Sequence, residues 1–187
     1  MAFNSYSRAF FVIAGIFSFF LYGLYEKNET ANYLKNDSNY ILKSLPNLSL
    51  EIIDKKRTSL HSLIGNNTKG LIVHFWATWC SPCEAELPSF VTLAKKLSGN
   101  GIRFVLVAVR DNEKKVRKFL KRFSKLPDNV LIALDSNGSS MARFGTLRVP
   151  ETYIFNKQKI NIKKFIGPQD WQKSFFISKI LFLLRNK

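Results

Sequence analysis

Cysteine and histidine are both scarce, with two of each in 187 residues. A disulfide framework needs more cysteines at wider spacing, and a structural zinc site needs four ligands. Here Cys80, Cys83, His61 and His74 are the only thiols and imidazoles to draw on. Two cysteines three residues apart suggest reversible redox chemistry instead. Acidic residues are also short, 13 Asp and Glu against 29 Lys and Arg, which gives a formal net charge of +16. Such an excess suits nucleic acid, an anionic membrane surface or a merely lysine-rich composition, and charge alone does not choose among them. The densest basic run, Lys114 to Lys125, carries Val116, Phe119, Leu120 and Phe123 at helical spacing and reads as an amphipathic helix with a solvated basic face. No internal repeat or low-complexity segment is present. With 46% hydrophobic and 22% charged residues, disorder and fibrous classes are excluded and a real core is expected.

Only one long uncharged stretch exists, Ala9 to Tyr25, with Arg8 before it. As a helix it would span about 25 Å, slightly short of a bilayer core of about 30 Å, a gap that Tyr6, Tyr25 and a snorkelling Arg8 cover. No small-x-small cleavage site follows it, so an uncleaved anchor is favoured over a signal peptide. Arg8 before the span and Glu26 and Glu29 after it place the bulk of the chain outside the cytoplasm. The expected organisation is therefore a membrane anchor over 1–27, a polar tether over 28–45 and one domain over 46–187. Within that domain the pattern predicts strands at 49–53, 71–76, 102–109, 130–134, 152–155 and 159–165. Helices are expected at 81–97, through the basic run, at 136–144 and at 169–184. Strands alternating with helices and ending in a hairpin describe an α/β mixed central sheet with helices on both faces.

The chemistry lies in Leu71-Ile72-Val73-His74-Phe75-Trp76-Ala77-Thr78-Trp79-Cys80-Ser81-Pro82-Cys83-Glu84-Ala85-Glu86-Leu87-Pro88. A buried strand delivers Cys80 to a helix N-terminus, where unpaired N–H groups and the helix dipole favour a thiolate. Cys83, one turn on, is placed to resolve a mixed disulfide. Pro82 fits a first helical turn, where its missing donor costs nothing.

A bare C-x-x-C is a weak signal, but Phe75-Trp76-Ala77-Thr78-Trp79-Cys80-Ser81-Pro82-Cys83, then Glu86 and Pro88, then Val149-Pro150-Glu151-Thr152 together resemble the thioredoxin superfamily and its TlpA/ResA/DsbE-like branch. The resemblance covers about Pro46 to Leu184. It implies a thioredoxin-like fold behind an N-terminal transmembrane helix, and a cis-proline at Pro150 facing the cysteine pair. The backbone of Val149 is expected to pair with an extended substrate, with Trp79 as a flat apolar contact. Glu86 is expected near the buried cysteine with a raised pKa, fit for proton exchange; the competing reading is an exposed helix-start glutamate, which is also the reading given to Glu84. His74 departs from the family pattern, in which many thioredoxins have a buried aspartate at this strand position and the TlpA-like branch often has asparagine. It reads as a core histidine bonded to a neighbour, with a redox-linked proton acceptor as the alternative.

The catalytic set implied is Cys80, Cys83 and Glu86, the substrate-binding set is Trp79, Val149 and Pro150, and no cofactor or metal is implied beyond the Cys80–Cys83 disulfide itself. The implied activity is extracytoplasmic thiol–disulfide exchange with protein partners, reductive as in cytochrome c maturation. Apocytochrome c or a copper-site protein would be the substrate, a membrane protein the electron donor, and the bacterial inner membrane facing the periplasm the location. A disulfide-forming oxidase is the rival within the class. A metal-binding or metallochaperone domain is the rival outside it.

Overall fold

The computed structural model of the chain describes residues 14–25, 42–123 and 125–185. Leu42–Lys187 form one compact unit. Separately, residues 14–25 are helical with exposed side chains. Residues 9–13 of the expected transmembrane helix, and most of the expected tether, lie outside the described residues. Among the described residues no helix is long and apolar enough to cross a membrane.

The domain contains strands β1 (Ser49–Ile52), β2 (Thr58–Ser59), β3 (Gly70–Trp76), β4 (Ile102–Val109), β5 (Val130–Asp135), β6 (Glu151–Asn156) and β7 (Asn161–Ile166). Its helices are α1 (Ser81–Lys96), α2 (Glu113–Leu120), α3 (Ser139–Phe144) and α4 (Ser174–Arg185). One seven-stranded sheet runs in the order β2-β1-β5-β4-β3-β6-β7. β3, β4 and β5 are parallel, while β1 and the β6–β7 hairpin join them antiparallel. This is the mixed α/β sheet that the sequence pattern predicts and that the resemblance to the thioredoxin superfamily implies. β3 is buried throughout and β4 at all but Arg103, because both lie mid-sheet with cover on each side, which is why they read as unbroken apolar runs.

Strand alternation sorts the side chains onto two faces. The cross-strand row His74, Thr152 and Phe165 lies on one; the rows Val73–Tyr153–Lys164 and Phe75–Glu151 lie on the other. Phe90 of α1 stacks on His74 and meets Trp171 edge-on, Phe119 of α2 packs on Trp76, and Phe176 of α4 meets Phe165. The opposite face carries α3, whose Phe144 sits against Phe75, Tyr153 and Phe155. Helices cover both faces, as expected.

Apart from shifts of up to three residues at element ends, such as the helix expected from 136 that starts at Ser139 and the strand expected from 159 that starts at Asn161, three elements differ from the pattern-based expectation. The closing helix begins at Ser174 rather than 169, because the segment after Pro168 directs the Gln169 backbone N–H and the Trp171 indole N–H to Glu86 instead of into a helix. The basic helix stops at Leu120, and Arg122 and Phe123 continue as tight turns bonded to the carbonyls of Phe119 and Leu120. β2, a two-residue polar strand paired with β1, is too short to leave a periodic signal.

Candidate active site

β3 ends at Trp76, and the chain crosses Ala77, Thr78 and Trp79 to reach Cys80, the N-cap of α1. That crossing is tied down from the next strand. The Asp111 carboxylate, buried just past β4, accepts the Thr78 N–H at 2.8 Å and the Asn112 N–H at 3.0 Å. Asp111 is a site residue that the sequence reading missed, since nothing local marks an aspartate as the partner of a backbone amide 33 positions away.

Cys80 and Cys83 form a disulfide with their Cα atoms 5.3 Å apart. Cys80 Sγ caps the helix by accepting the Cys83 N–H at 3.2 Å, and Pro82 and Glu84 lie in the first turn, where a missing donor and a negative charge are both tolerated. Cys80 is 5% exposed and Cys83 fully buried. Attack from outside therefore meets the Cys80 sulfur, and Cys83 is left to act from within.

Glu86 lies one turn past Cys83 on the same buried face of α1. Its Oε2 accepts the Gln169 N–H at 2.8 Å and the Trp171 indole N–H at 2.9 Å. Burial pushes its pKa up to about 6, against the opposing pull of those two hydrogen bonds. The exposed helix-start reading is excluded for Glu86 and holds for Glu84, which is exposed and ion-paired with Arg122. Glu86 Oε1 faces His74 Nε2 at 3.6 Å. His74 Nδ1 lies 2.9 Å from Thr152 Oγ1, so the bonded core histidine is what the fold contains. Burial drives the His74 pKa down to about 3, so the ring is neutral and its approach to Glu86 is not an ion pair.

The Val149–Pro150 bond is cis, and Gly167 donates its N–H to the Pro150 carbonyl. Because β6 runs antiparallel to β3, its start brings Val149 and Pro150 to the same end of the sheet as Trp79 and Cys80. Trp79 is 59% exposed and Val149 half-buried. Leu147, 90% exposed in the same loop, is a second apolar surface residue at this end that the sequence reading did not single out; its position three residues before the proline was the available signal. Arg148 is exposed, and His61 bonds the Leu45 carbonyl away from the cysteines. Among the described residues no group of three or more His, Cys, Asp or Glu side chains is placed to hold a metal ion.

Comparison with known proteins agrees with this arrangement. The Redoxin family matches residues 43–176. Thiol-disulfide oxidoreductase ResA of Bacillus cereus (strain ATCC 10987 / NRS 248) is 26% identical over 160 residues, 84% of each chain. Sporulation thiol-disulfide oxidoreductase A of Bacillus subtilis (strain 168) is 32% identical over 108 residues, 56% of this chain and 64% of its own. Among solved structures, StoA from Bacillus subtilis superposes with a TM-score of 0.57 at 26% identity over 71% of this chain and 96% of its own. A thiol:disulfide interchange protein of the thioredoxin family from Chlorobium tepidum TLS gives 0.59 at 25% identity over 76% and 96%. Enzymes of this kind work through their own cysteine pair and need no cofactor, and with Cys80 and Cys83 paired at the head of α1 the chain belongs to the Redoxin family as a thioredoxin-like thiol–disulfide oxidoreductase of protein thiols.

Proposed function

We propose that the enzyme is a reductase of protein disulfides outside the cytoplasm, anchored in the bacterial inner membrane by Ala9 to Tyr25 with its domain in the periplasm or an equivalent space. The observation that carries the exchange chemistry of this reading is Glu86, a buried acid one helical turn from the inner cysteine whose pKa burial raises to about 6. In the reductive half-cycle the Cys80 thiolate attacks a partner disulfide, and the partner's departing sulfur takes a proton. Cys83 then gives its proton to the Glu86 carboxylate and attacks Cys80, which releases the reduced partner and closes the Cys80–Cys83 disulfide. A membrane dithiol donor reverses the sequence at Cys80, and Glu86 returns its proton to the Cys83 thiolate. Trp79, Leu147, Val149 and Pro150 form the surface against which the partner chain lies.

The reductive direction and the partner class rest on the likeness of Val149-Pro150-Glu151-Thr152 to cytochrome c maturation members. Structural disulfides form spontaneously in an oxidising compartment, so a protein that must keep a cysteine pair open there, such as apocytochrome c or a copper-site protein, needs a dedicated reductant. The test is a Cys83→Ser variant, which holds its mixed disulfide because nothing resolves it. Trapped apocytochrome c or copper-site protein on the variant, together with a Cys80–Cys83 reduction potential of the wild-type protein below that of the glutathione couple, is the expected result. A potential above that couple, with unfolded secreted proteins trapped, would instead make the enzyme an oxidase. A chain starting at Asn28 should be soluble and redox-active, and its retention in membranes would remove Ala9 to Tyr25 as the sole anchor.

A further inference from the structure

β3 and α1 bring two unpaired polar atoms face to face in the interior. His74 Nε2 and Glu86 Oε1 are 3.6 Å apart, both buried, and neither has a hydrogen-bond partner. Their other ends are fixed, His74 Nδ1 against Thr152 Oγ1 and Glu86 Oε2 under two N–H donors, and the imidazole is stacked on Phe90. The gap is too short for an intervening water, and a shift of a few tenths of an ångström brings it within hydrogen-bond range. Buried polar atoms without partners are uncommon and costly. Two of them aimed at one another mark a single hydrogen bond whose proton can sit on either side.

The chemistry of each atom dictates how that bond is made. Oε2 already accepts two N–H groups, so a proton on the neutral carboxyl belongs on Oε1, and Nε2 must then accept. When the carboxyl is ionised, Nε2 must donate. A neutral imidazole does either, depending on which nitrogen carries its hydrogen, and the Thr152 hydroxyl can donate or accept to match.

We propose that His74 is a positioning residue for Glu86 that satisfies both of its protonation states by exchanging tautomers. The Nδ1–H form donates to Thr152 and accepts the Glu86 proton; the Nε2–H form donates to the Glu86 carboxylate and accepts from Thr152. The ring holds one N–H before and after, so the pair loses only one proton overall, the one that passes from Glu86 to the Cys83 thiolate when the disulfide is reduced. The proposal rests on the reading of Glu86 as the proton source. It explains how Glu86 can ionise in the interior without a cation beside it.

Other groups do not interfere with this exchange. Glu84 on α1, Lys163 on β7, Asp170 before α4 and Lys179 on α4 are exposed. Glu151 of β6 and Lys164 of β7 pair with each other on the opposite face of the sheet. Cys83 is held in the disulfide of the oxidised protein. Burial keeps the ring neutral down to about pH 3, well below the range near 6 where Glu86 titrates.

The test is nitrogen NMR of the oxidised full chain in detergent micelles, labelled at histidine. Only two histidines contribute signals, and a His61→Asn variant assigns them. The expected result is a His74 ring that stays neutral from about pH 5 to 8 while its dominant tautomer changes from Nδ1–H to Nε2–H with a midpoint at the Glu86 pKa. In Glu86→Gln the tautomer should be independent of pH. A Glu86 carboxyl, followed by its carbon shift, that titrates beside an unchanging His74 tautomer overturns this proposal alone. A Glu86 that does not titrate in that range overturns the proton-source reading with it, and a His74 that becomes imidazolium there overturns the claim of neutral exchange.

Discussion

Two buried glutamates occupy opposite faces of the sheet and are treated in opposite ways. Glu151, next to Pro150, lies 3.0 Å from the Lys164 ammonium and accepts the Tyr153 hydroxyl at 3.1 Å. Burial pulls the Lys164 pKa down, but its hydrogen bonds to Tyr153 and Glu151 outweigh that and hold it above the ordinary lysine value. Burial likewise raises the Tyr153 phenol, in part offset by its bonds to Thr146 and Lys164. Glu86 meets only neutral donors and a neutral imidazole, and burial raises it to about 6. Glu151 has a cation at hydrogen-bond distance and Glu86 has none, and burial leaves Glu86 able to take and give a proton near pH 6. Under the proposed mechanism the acid that cycles its proton is Glu86, the one without a cation beside it.

The largest effect that could break this contrast concerns His74. In the unfolded chain a histidine titrates near 6.5, but folded His74 does so near 3. As pH falls from about 6.5 to 3 the unfolded state takes up a proton that the native state refuses, and stability drops by as much as about 5 kcal/mol. Glu86 acts with the opposite sign. Its native pKa of about 6 lies above the ordinary glutamate value of 4.5, so stability falls by about 2 kcal/mol as pH rises through that window. The two slopes nearly cancel between about pH 4.5 and 6. Urea unfolding should show that His74→Asn is less sensitive to acid than the wild type and turns the plateau into a decline with rising pH. A constant difference between the two proteins would mean that His74 is not held neutral.

The opposite face gives the next largest effect. Glu151→Leu leaves the half-buried Lys164 ammonium without its anion and the Tyr153 hydroxyl with one partner fewer, at a cost of about 2–3 kcal/mol. Adding Lys164→Met should restore most of that loss, since an apolar pair fills the site without a charge to bury. Thermal melting measures both. Neither variant should move the pH dependence of cysteine titration, and a shift as large as that caused by a Glu86 variant would erase the distinction between the two acids.

How much of this was legible in the sequence follows the range of the interactions. Cys80, Pro82 and Cys83 are placed by contacts within one helical turn, and β3 and β4 by continuous apolar runs, so local reading recovers them. The cis Val149–Pro150 bond was legible through resemblance, not through spacing. The start of α4 was not, because residues 169–171 are held by a carboxylate 83 to 85 positions earlier. Asp111 reaches back 33 positions to the Thr78 amide, and Glu151 meets Lys164 only through the β6–β7 register. The burial of Glu86 could be suspected from its spacing to Cys83, but its partners Trp171 and His74 come from other elements, and only the fold brings them together.

The smallest expected effect is also the one closest to the chemistry. Glu86→Gln preserves the shape and the Oε acceptor for Gln169 and Trp171, and its amide N–H can donate to His74 Nε2, so stability should stay within about 1 kcal/mol near pH 5. What the substitution removes is a proton that leaves and returns. Reduction of the disulfide by a dithiol expels Cys83 as a thiolate in a site with no exposed surface, and below about pH 6 the wild-type carboxyl is there to protonate it. Above that pH more of the Glu86 is ionised and its advantage shrinks. Stopped-flow exchange with a small dithiol should therefore be slowed about ten- to a hundredfold in the variant below pH 6, with the two rates converging as pH rises. The Cys83 titration should shift as well, while Cys80 remains the attacked sulfur in both proteins. Equal rates across about pH 5 to 9, the span in which a raised carboxyl and a thiol titrate, would reduce Glu86 to an anchor for Gln169 and Trp171 and leave water as the route for the proton.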